Sequence, residues 1–280
     1  MKQKVSKNGR QAASGDEHIT SLQNPRVKNV VKLRQRAGRD EQRLMIVEGY
    51  RELKRALENQ RRPASLFYCP DFFLGKNEQE LIDRCRSTGA EIISCAAAVF
   101  TKMAYRERPE GLLALVPQIK LDLAGLKLPA TPLLIVAEAI EKPGNLGTIL
   151  RSADAAGADA VIVCDRCTDI NNPNVVRASI GAIFTVPVAE TSSVEAIKWL
   201  RVKKIQVLAA SPHAELAYTQ ADLRRGMAIV VGAEQYGLSE RWMKSADLQV
   251  RIPVRGQLDS LNVAAATTIL LFEAARQRGN

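Results

Sequence analysis

The alternation of apolar and polar positions divides the chain into short, repeating units. Val27, Val30, Val31 and Leu33 recur at helical spacing and predict a helix over 26–36. Runs at 44–47, 65–69, 90–94 and 111–116 predict strands, with helices over 50–58, 78–87 and 96–103 between them. A stretch bearing Pro117, Gly125, Pro129 and Pro132 interrupts the pattern. Beyond it, the apolar runs 133–137, 160–164, 205–209 and 228–231 have the composition of strands buried on both faces. Helices are predicted among them over 147–156, 174–184 and 193–203. A last strand, 248–252, leads through a loop opened by Pro253 and Gly256 into a helix starting near Ser260, with Asp259 or Ser260 as its cap. Val263, Ala264, Thr267, Leu270, Leu271 and Ala274 give that helix its inward stripe. The expected architecture is α/β, a small N-terminal α/β domain followed by a doubly wound, mostly parallel sheet. Its divisions are a mobile basic tail at 1–17, a domain at 18–117, a linker at 118–132 and a second domain at 133–280.

Charge sharpens this division. The net charge is +10, and nearly all of the excess falls within residues 1–62. A terminal concentration of this kind is the footprint of a polyanion-binding module. Arg26, Lys28, Lys32, Arg34, Arg36 and Arg39 are the expected RNA-contact residues. The five cysteines are odd in number and lack framework spacing, which fits reduced thiols. Cys164-x-x-Cys167 has no second pair or nearby histidine to complete a zinc set, so both are read as structural thiols and no metal is expected. His213 could line a site, although a plain loop residue is the favoured reading. No apolar run reaches the roughly 20 residues of a membrane span, and the polar start of the chain lacks a signal-peptide core, so a cytoplasmic protein is expected.

Three loops follow apolar runs and precede helices, the positions at which open α/β sheets bind ligands. They are Glu141–Arg151, Gly232–Leu238 and Ile252–Asn262. Each carries glycine, where backbone can approach a ligand closely, and together they supply Asn145, Arg151, Glu234, Ser260 and Asn262. No GxGxxG or GxxxxGK[ST] occurs, which removes the usual support for dinucleotide or P-loop readings.

Asn145-x-Gly147-x-x-x-Arg151, Gly232-x-Glu234-x-x-Gly237-Leu238 and Ile252-Pro253-x-x-Gly256-x-x-x-Ser260-Leu261-Asn262-Val263 resemble, in order and spacing, the three motifs of the SpoU/TrmH family. These are S-adenosylmethionine-dependent RNA 2′-O-ribose methyltransferases of the SPOUT superfamily. Ile19–Lys28 and Ile46-Val-Glu-Gly49 resemble that family's ribosomal-protein-like substrate-binding module. The resemblance implies a deep trefoil knot, a homodimer and an RNA substrate, with large-subunit (23S) rRNA favoured by the N-terminal module. It implies that Gly232, Ile252, Leu261 and Asn262 hold the cofactor. Arg151 is then expected to bind the neighbouring phosphate and stabilise a developing alkoxide, because a free guanidinium is not deprotonated. Glu234 is expected to orient Arg151 or the ribose, with Asn145 and Ser260 holding Arg151 and substrate in register. Where the family often has Met after Ile-Pro, this chain has Val254. The competing readings are a tRNA 2′-O-ribose methyltransferase and a catalytically silent RNA-binding or ribosome-assembly protein.

Overall fold

The computed structural model describes residues 15–257 and 259–279; the expected basic tail, through residue 14, lies outside the described residues. Two units are separated in the chain, one ending at Gln118 and the other beginning at Ile119.

The first unit contains β1 (Glu17–Ile19), α1 (Pro25–Lys32), α2 (Arg36–Gln42), β2 (Leu44–Glu48), α3 (Tyr50–Glu58), β3 (Ser65–Tyr68), α4 (Glu78–Ser87), β4 (Glu91–Cys95), α5 (Ala97–Met103) and β5 (Leu112–Pro117). Its sheet runs β1-β4-β3-β5-β2, parallel from β1 to β3, with β5 antiparallel to both β3 and β2. β1 begins inside the segment expected to be a tail. Asp16 accepts from Tyr68 of β3 and Arg86 of α4, and His18 meets the Ser94 hydroxyl of β4, which together dock this segment. The helix predicted over 26–36 ends at Lys32, and a second helix, not predicted, begins at Arg36. The chain turns after Lys32 and brings Gly38 so close to the Lys32 carbonyl that a Cβ would stand 2.5 Å from its oxygen. The stripe itself is confirmed in its role, since Val27, Val30 and Leu33 pack with Ile46, Phe67 and Phe100. Gly49 adopts φ +111, and a side chain there would strike Glu52 and Arg106. The buried Glu48 accepts the Tyr105 and Arg106 amides, and Arg106 pairs with Glu52 and Glu110. Burial pushes the Glu48 and Glu52 carboxyls above the usual range.

The second unit contains β6 (Leu133–Glu138), α6 (Pro143–Ala155), β7 (Ala160–Cys164), α7 (Pro173–Ala178), β8 (Val188–Thr191), α8 (Ser193–Val202), β9 (Gln206–Ala210), β10 (Leu216–Ala217), β11 (Met227–Val231), α9 (Glu240–Ser245), β12 (Leu248–Arg251) and α10 (Val263–Arg278). The sheet order is β10-β12-β9-β11-β6-β7-β8, and every pairing in it is parallel. The expected linker packs onto this unit. Leu126 is buried with Leu121, Leu123 and Leu128 against the core, and the Ile119 amide donates to Asn171.

Helix ends differ from the prediction in ways that matter for the site. α6 starts at Pro143, whose fixed φ and missing N–H suit a first helical position. It therefore carries Asn145 on its first turn rather than in a loop. α7 stops at Ala178, and Ile180 and Gly181 take φ +51 and +79 before a 3-10 turn at Ala182–Phe184. α10 is capped by Asn262, not by Asp259 or Ser260. Its far end is fastened by Arg278, which donates to the carbonyls of Leu223, Thr131, Pro132 and Arg225. No helix among the described residues is long and apolar enough to cross a membrane.

Candidate active site

Four neighbouring strands, β12, β9, β11 and β6, run parallel, so the loops that follow them gather at one edge of the sheet. Glycine shapes the loop after β11. The Gly237 amide donates to the Ala233 carbonyl at 2.9 Å, and Gly237 itself sits at φ +65. A Cβ at Gly232 would overlap the returning backbone of Gly237 and Leu238. This tight closure presents Glu234 to the two flanking segments.

Glu234 accepts hydrogen bonds from Lys142 and Asn145 at the start of α6 and, at 2.8 Å, from Asn262 Nδ2 at the start of α10. Asn262 Nδ2 also lies 3.2 Å from Asn145 Oδ1. The orientation of the Asn262 amide follows from the helix it caps. Its Oδ1 accepts the Ala264 and Ala265 amides at 3.0 and 3.3 Å, which turns Nδ2 towards Glu234. The Lys142 hydrogen bond holds the Glu234 carboxyl below the usual carboxylate range, with Asn145 adding to it. The same bond holds the Lys142 ammonium above its ordinary value. Two helix N-termini flank this carboxylate, an arrangement that favours negative charge.

Beside the network opens a cavity of about 500 Å³, lined by the loops after β9, β11 and β12. Gly232, Glu234, Ile252, Ser260 and Leu261 all line it. So do Ser211 and His213, from the loop after β9. Of the two readings of His213, a site-lining residue or a plain loop residue, its place in the cavity lining favours the first. Lys142 was also missed; its signal was its place immediately before the helix-starting Pro143.

Arg151 is placed differently from the expectation. It stands six residues after Asn145 on α6, about 9 Å further along the axis, exposed and without a side-chain hydrogen bond or ion pair among the described residues. Asn145 and Glu234 hold one another and Asn262; they do not hold Arg151. Gly147 likewise serves packing rather than ligand approach, because a Cβ there would lie on the Ala178 side chain and 2.9 Å from the Ser179 amide, both at the end of α7. Cys164 is buried, which pushes its thiol up, and Cys167 is exposed.

The six expected RNA-contact residues of the first unit separate into two groups. Lys28 and Lys32 are exposed one turn apart on α1, with no side-chain partner among the described residues, and Arg36 is exposed beside Asp40 at 3.3 Å. Arg26 pairs with Glu17 and Glu91. Arg34 donates to the carbonyls of Lys102 and Ala104. Arg39 is only 2 % exposed and donates to the carbonyls of Leu33 and Arg34, closing the bend between α1 and α2. Its place in the surface set is corrected: its charge satisfies backbone inside the unit.

Residues 132–272 match the model of the SpoU rRNA Methylase family, and residues 24–114 match that of the MRM3-like substrate binding domain. The chain is 31 % identical over 240 residues to a 23S rRNA (uridine(2479)-2′-O)-methyltransferase of Streptomyces viridochromogenes, covering 83 % of each chain. Among solved structures, it is similar to an RNA 2′-O ribose methyltransferase, with TM-score 0.83 and 38 % identity over 94 % of this chain and 100 % of that one. It is also similar to an AdoMet-bound rRNA methyltransferase from Sinorhizobium meliloti, with TM-score 0.85 and 31 % identity over 93 % of this chain and 97 % of that one.

Proposed function

The chain belongs to the SpoU rRNA Methylase family, and from that premise we propose that it transfers a methyl group from S-adenosylmethionine to a ribose 2′-hydroxyl of 23S rRNA. One observation carries the reading to these residues: Asn145, Glu234 and Asn262, from three separate segments, share one hydrogen-bonded network at the rim of one cavity. That geometry also weighs against a silent RNA-binding protein, which has no need to assemble the network.

The cavity suits the methyl donor. Val231, Ile252, Leu261 and Val263 give it apolar walls, the tight turn at Gly232 leaves backbone within reach, and Ser260 and Ser211 supply hydroxyls. S-adenosylmethionine supplies, when bound, an electrophilic methyl group on a sulfonium. The residues supply position, which is worth up to about 7–11 kcal/mol for well-oriented reactants. Gly232, Ile252 and Leu261 hold the adenosyl part through backbone groups. The Glu234 network fixes the starts of α6 and α10 relative to the cavity. Arg151, exposed and unpaired by described residues, is free to take the phosphate next to the target ribose and to stabilise the forming alkoxide. Ser260 contributes a hydrogen bond to donor or ribose. Lys28, Lys32 and Arg36 contact RNA phosphates.

The same reading includes a homodimer. Its support is an outward stripe on α10, Ala265, Ile269 and Phe272, of which Phe272 is 49 % exposed. A second copy seated there would run alongside α6, which the Ser152–Thr268 hydrogen bond joins to α10. A knot is supported by the path of the chain: β12 lies between β9 and β10, yet α10 packs on α6 and β11. Five unpaired thiols support a cytoplasmic setting.

Tritium-labelled S-adenosylmethionine incubated with the protein and 23S rRNA, followed by digestion to nucleosides, tests the function. Label is expected in a 2′-O-methylated nucleoside. Label only in a base, or none in RNA, would refute it.

A further inference from the structure

At the opposite edge of the second sheet, where β6, β9 and β11 begin, lies a second groove of about 630 Å³. Its lining includes the apolar Leu126, Leu128 and Pro129. It also includes Arg201, Lys203, Lys204 and Arg225. From residue 63 onward acids nearly balance bases in the sequence, so four cations on one groove are a local concentration that composition hides. The one acid in the groove, Asp247, is engaged by Arg201 at 2.6 Å. Lys203 and Lys204 are exposed and have no side-chain partner among the described residues. Arg225 reaches Asp222 only at 3.9 Å, with its side chain 80 % exposed.

Lys204 sits at φ +57, just past the end of α8, and the Ile205 amide returns to the Leu200 carbonyl at 3.0 Å. This is the left-handed closing position that glycine fills without strain. A favourable charge for the helix end is already supplied by Arg201 in the last turn. Lys204 thus takes the place a glycine would fill and lines the groove with Arg201, Lys203 and Arg225.

We propose that this groove grips the phosphodiester backbone of the substrate RNA, remote from the reacting ribose; the inference rests on the RNA-methylating function above. The groove and the methyl-donor cavity are separated by one strand, about 17 Å for the five residues of β9, a span within reach of a folded ribosomal RNA.

The test compares full-length wild type, Lys204→Gly, and Lys203→Ala/Lys204→Gly for binding to a 23S rRNA transcript over a range of salt. Lys204→Gly is expected to melt at a higher temperature yet bind RNA more weakly. The double variant is expected to lose about tenfold in affinity near 0.1 M salt and to flatten the logarithmic salt dependence by about one to two. S-adenosylmethionine affinity is expected to be unchanged in both. Wild-type RNA affinity and salt slope in the double variant would overturn the proposal. So would an equal loss in Lys198→Ala, which stands on α8 outside the groove. Failure of the function itself reads out separately, as a wild type that transfers no methyl group to RNA.

Discussion

Asn262 uses one amide for two tasks, and the two can be separated. Its Oδ1 caps α10, and its Nδ2 donates to Glu234. Asn262→Asp keeps a capping acceptor but sets a carboxylate against Glu234. It is expected to weaken S-adenosylmethionine binding about tenfold or more by calorimetry, with any fall in melting temperature coming from repulsion between the two carboxylates and not from loss of the cap. Asn262→Ala removes both functions and is expected to cost about 1 kcal/mol of stability as well. Wild-type donor affinity in Asn262→Asp would remove the amide from the site. The charges around it set a pH window. The Glu234 carboxyl is depressed by Lys142, so its stabilising contribution is complete above the ordinary carboxylate value, about 4.3, and is lost as pH falls through the lower folded value. The Lys142 ammonium is raised, so its contribution is complete below about 10.4 and is lost as pH rises through the higher folded value. The stability gap between wild type and Glu234→Gln should therefore stay level from about pH 5.5 to 9.5. It should close at more acid pH; a gap that changes steadily around neutrality would show that another group governs the network.

At the scale of elements, the position of α6 is set by contact with α7, and Gly147 is where they touch. Gly147→Ala puts a methyl group onto Ala178 and against the Ser179 amide. Overpacking of this kind costs about 1–3 kcal/mol, and the helix that shifts carries both Asn145 and Arg151. Urea denaturation should show the loss of stability, and methyl transfer should fall by more than donor binding; an unchanged melting curve would show that the helices separate without cost. The apolar strands of this unit were legible because burial on both faces leaves a nearly continuous hydrophobic run. Helix ends were less so. The apolar stripe of α6 first shows at Leu146, so periodicity starts the helix late and leaves Asn145 in a loop, although Pro143 already marks the first helical position. α2 has almost no apolar positions to betray it, and β10 is a two-residue edge strand whose neighbour supplies its order.

For the molecule as a whole, the convergence of the three motif segments was legible through their resemblance to a family and their shared place after parallel strands. What sequence did not carry was how the charges and glycines are spent. Arg39 looked like a surface cation and closes a bend inside the first unit. Gly147 looked like a ligand-facing glycine and spaces two helices. Lys142 and the loop at Ser211–His213 had no motif to mark them, because their contribution depends on which strand ends lie side by side. Asn145, Glu234 and Asn262 form one hydrogen-bonded unit despite their separation along the chain. A double-mutant cycle on the full-length protein tests this most directly, with Asn145→Ala and Glu234→Gln made singly and together and single-turnover methyl transfer to 23S rRNA measured in each. Residues acting as one unit should give a coupling of about 1 kcal/mol or more, with the double variant little slower than the slower single variant; rate losses that simply multiply would show that they act independently.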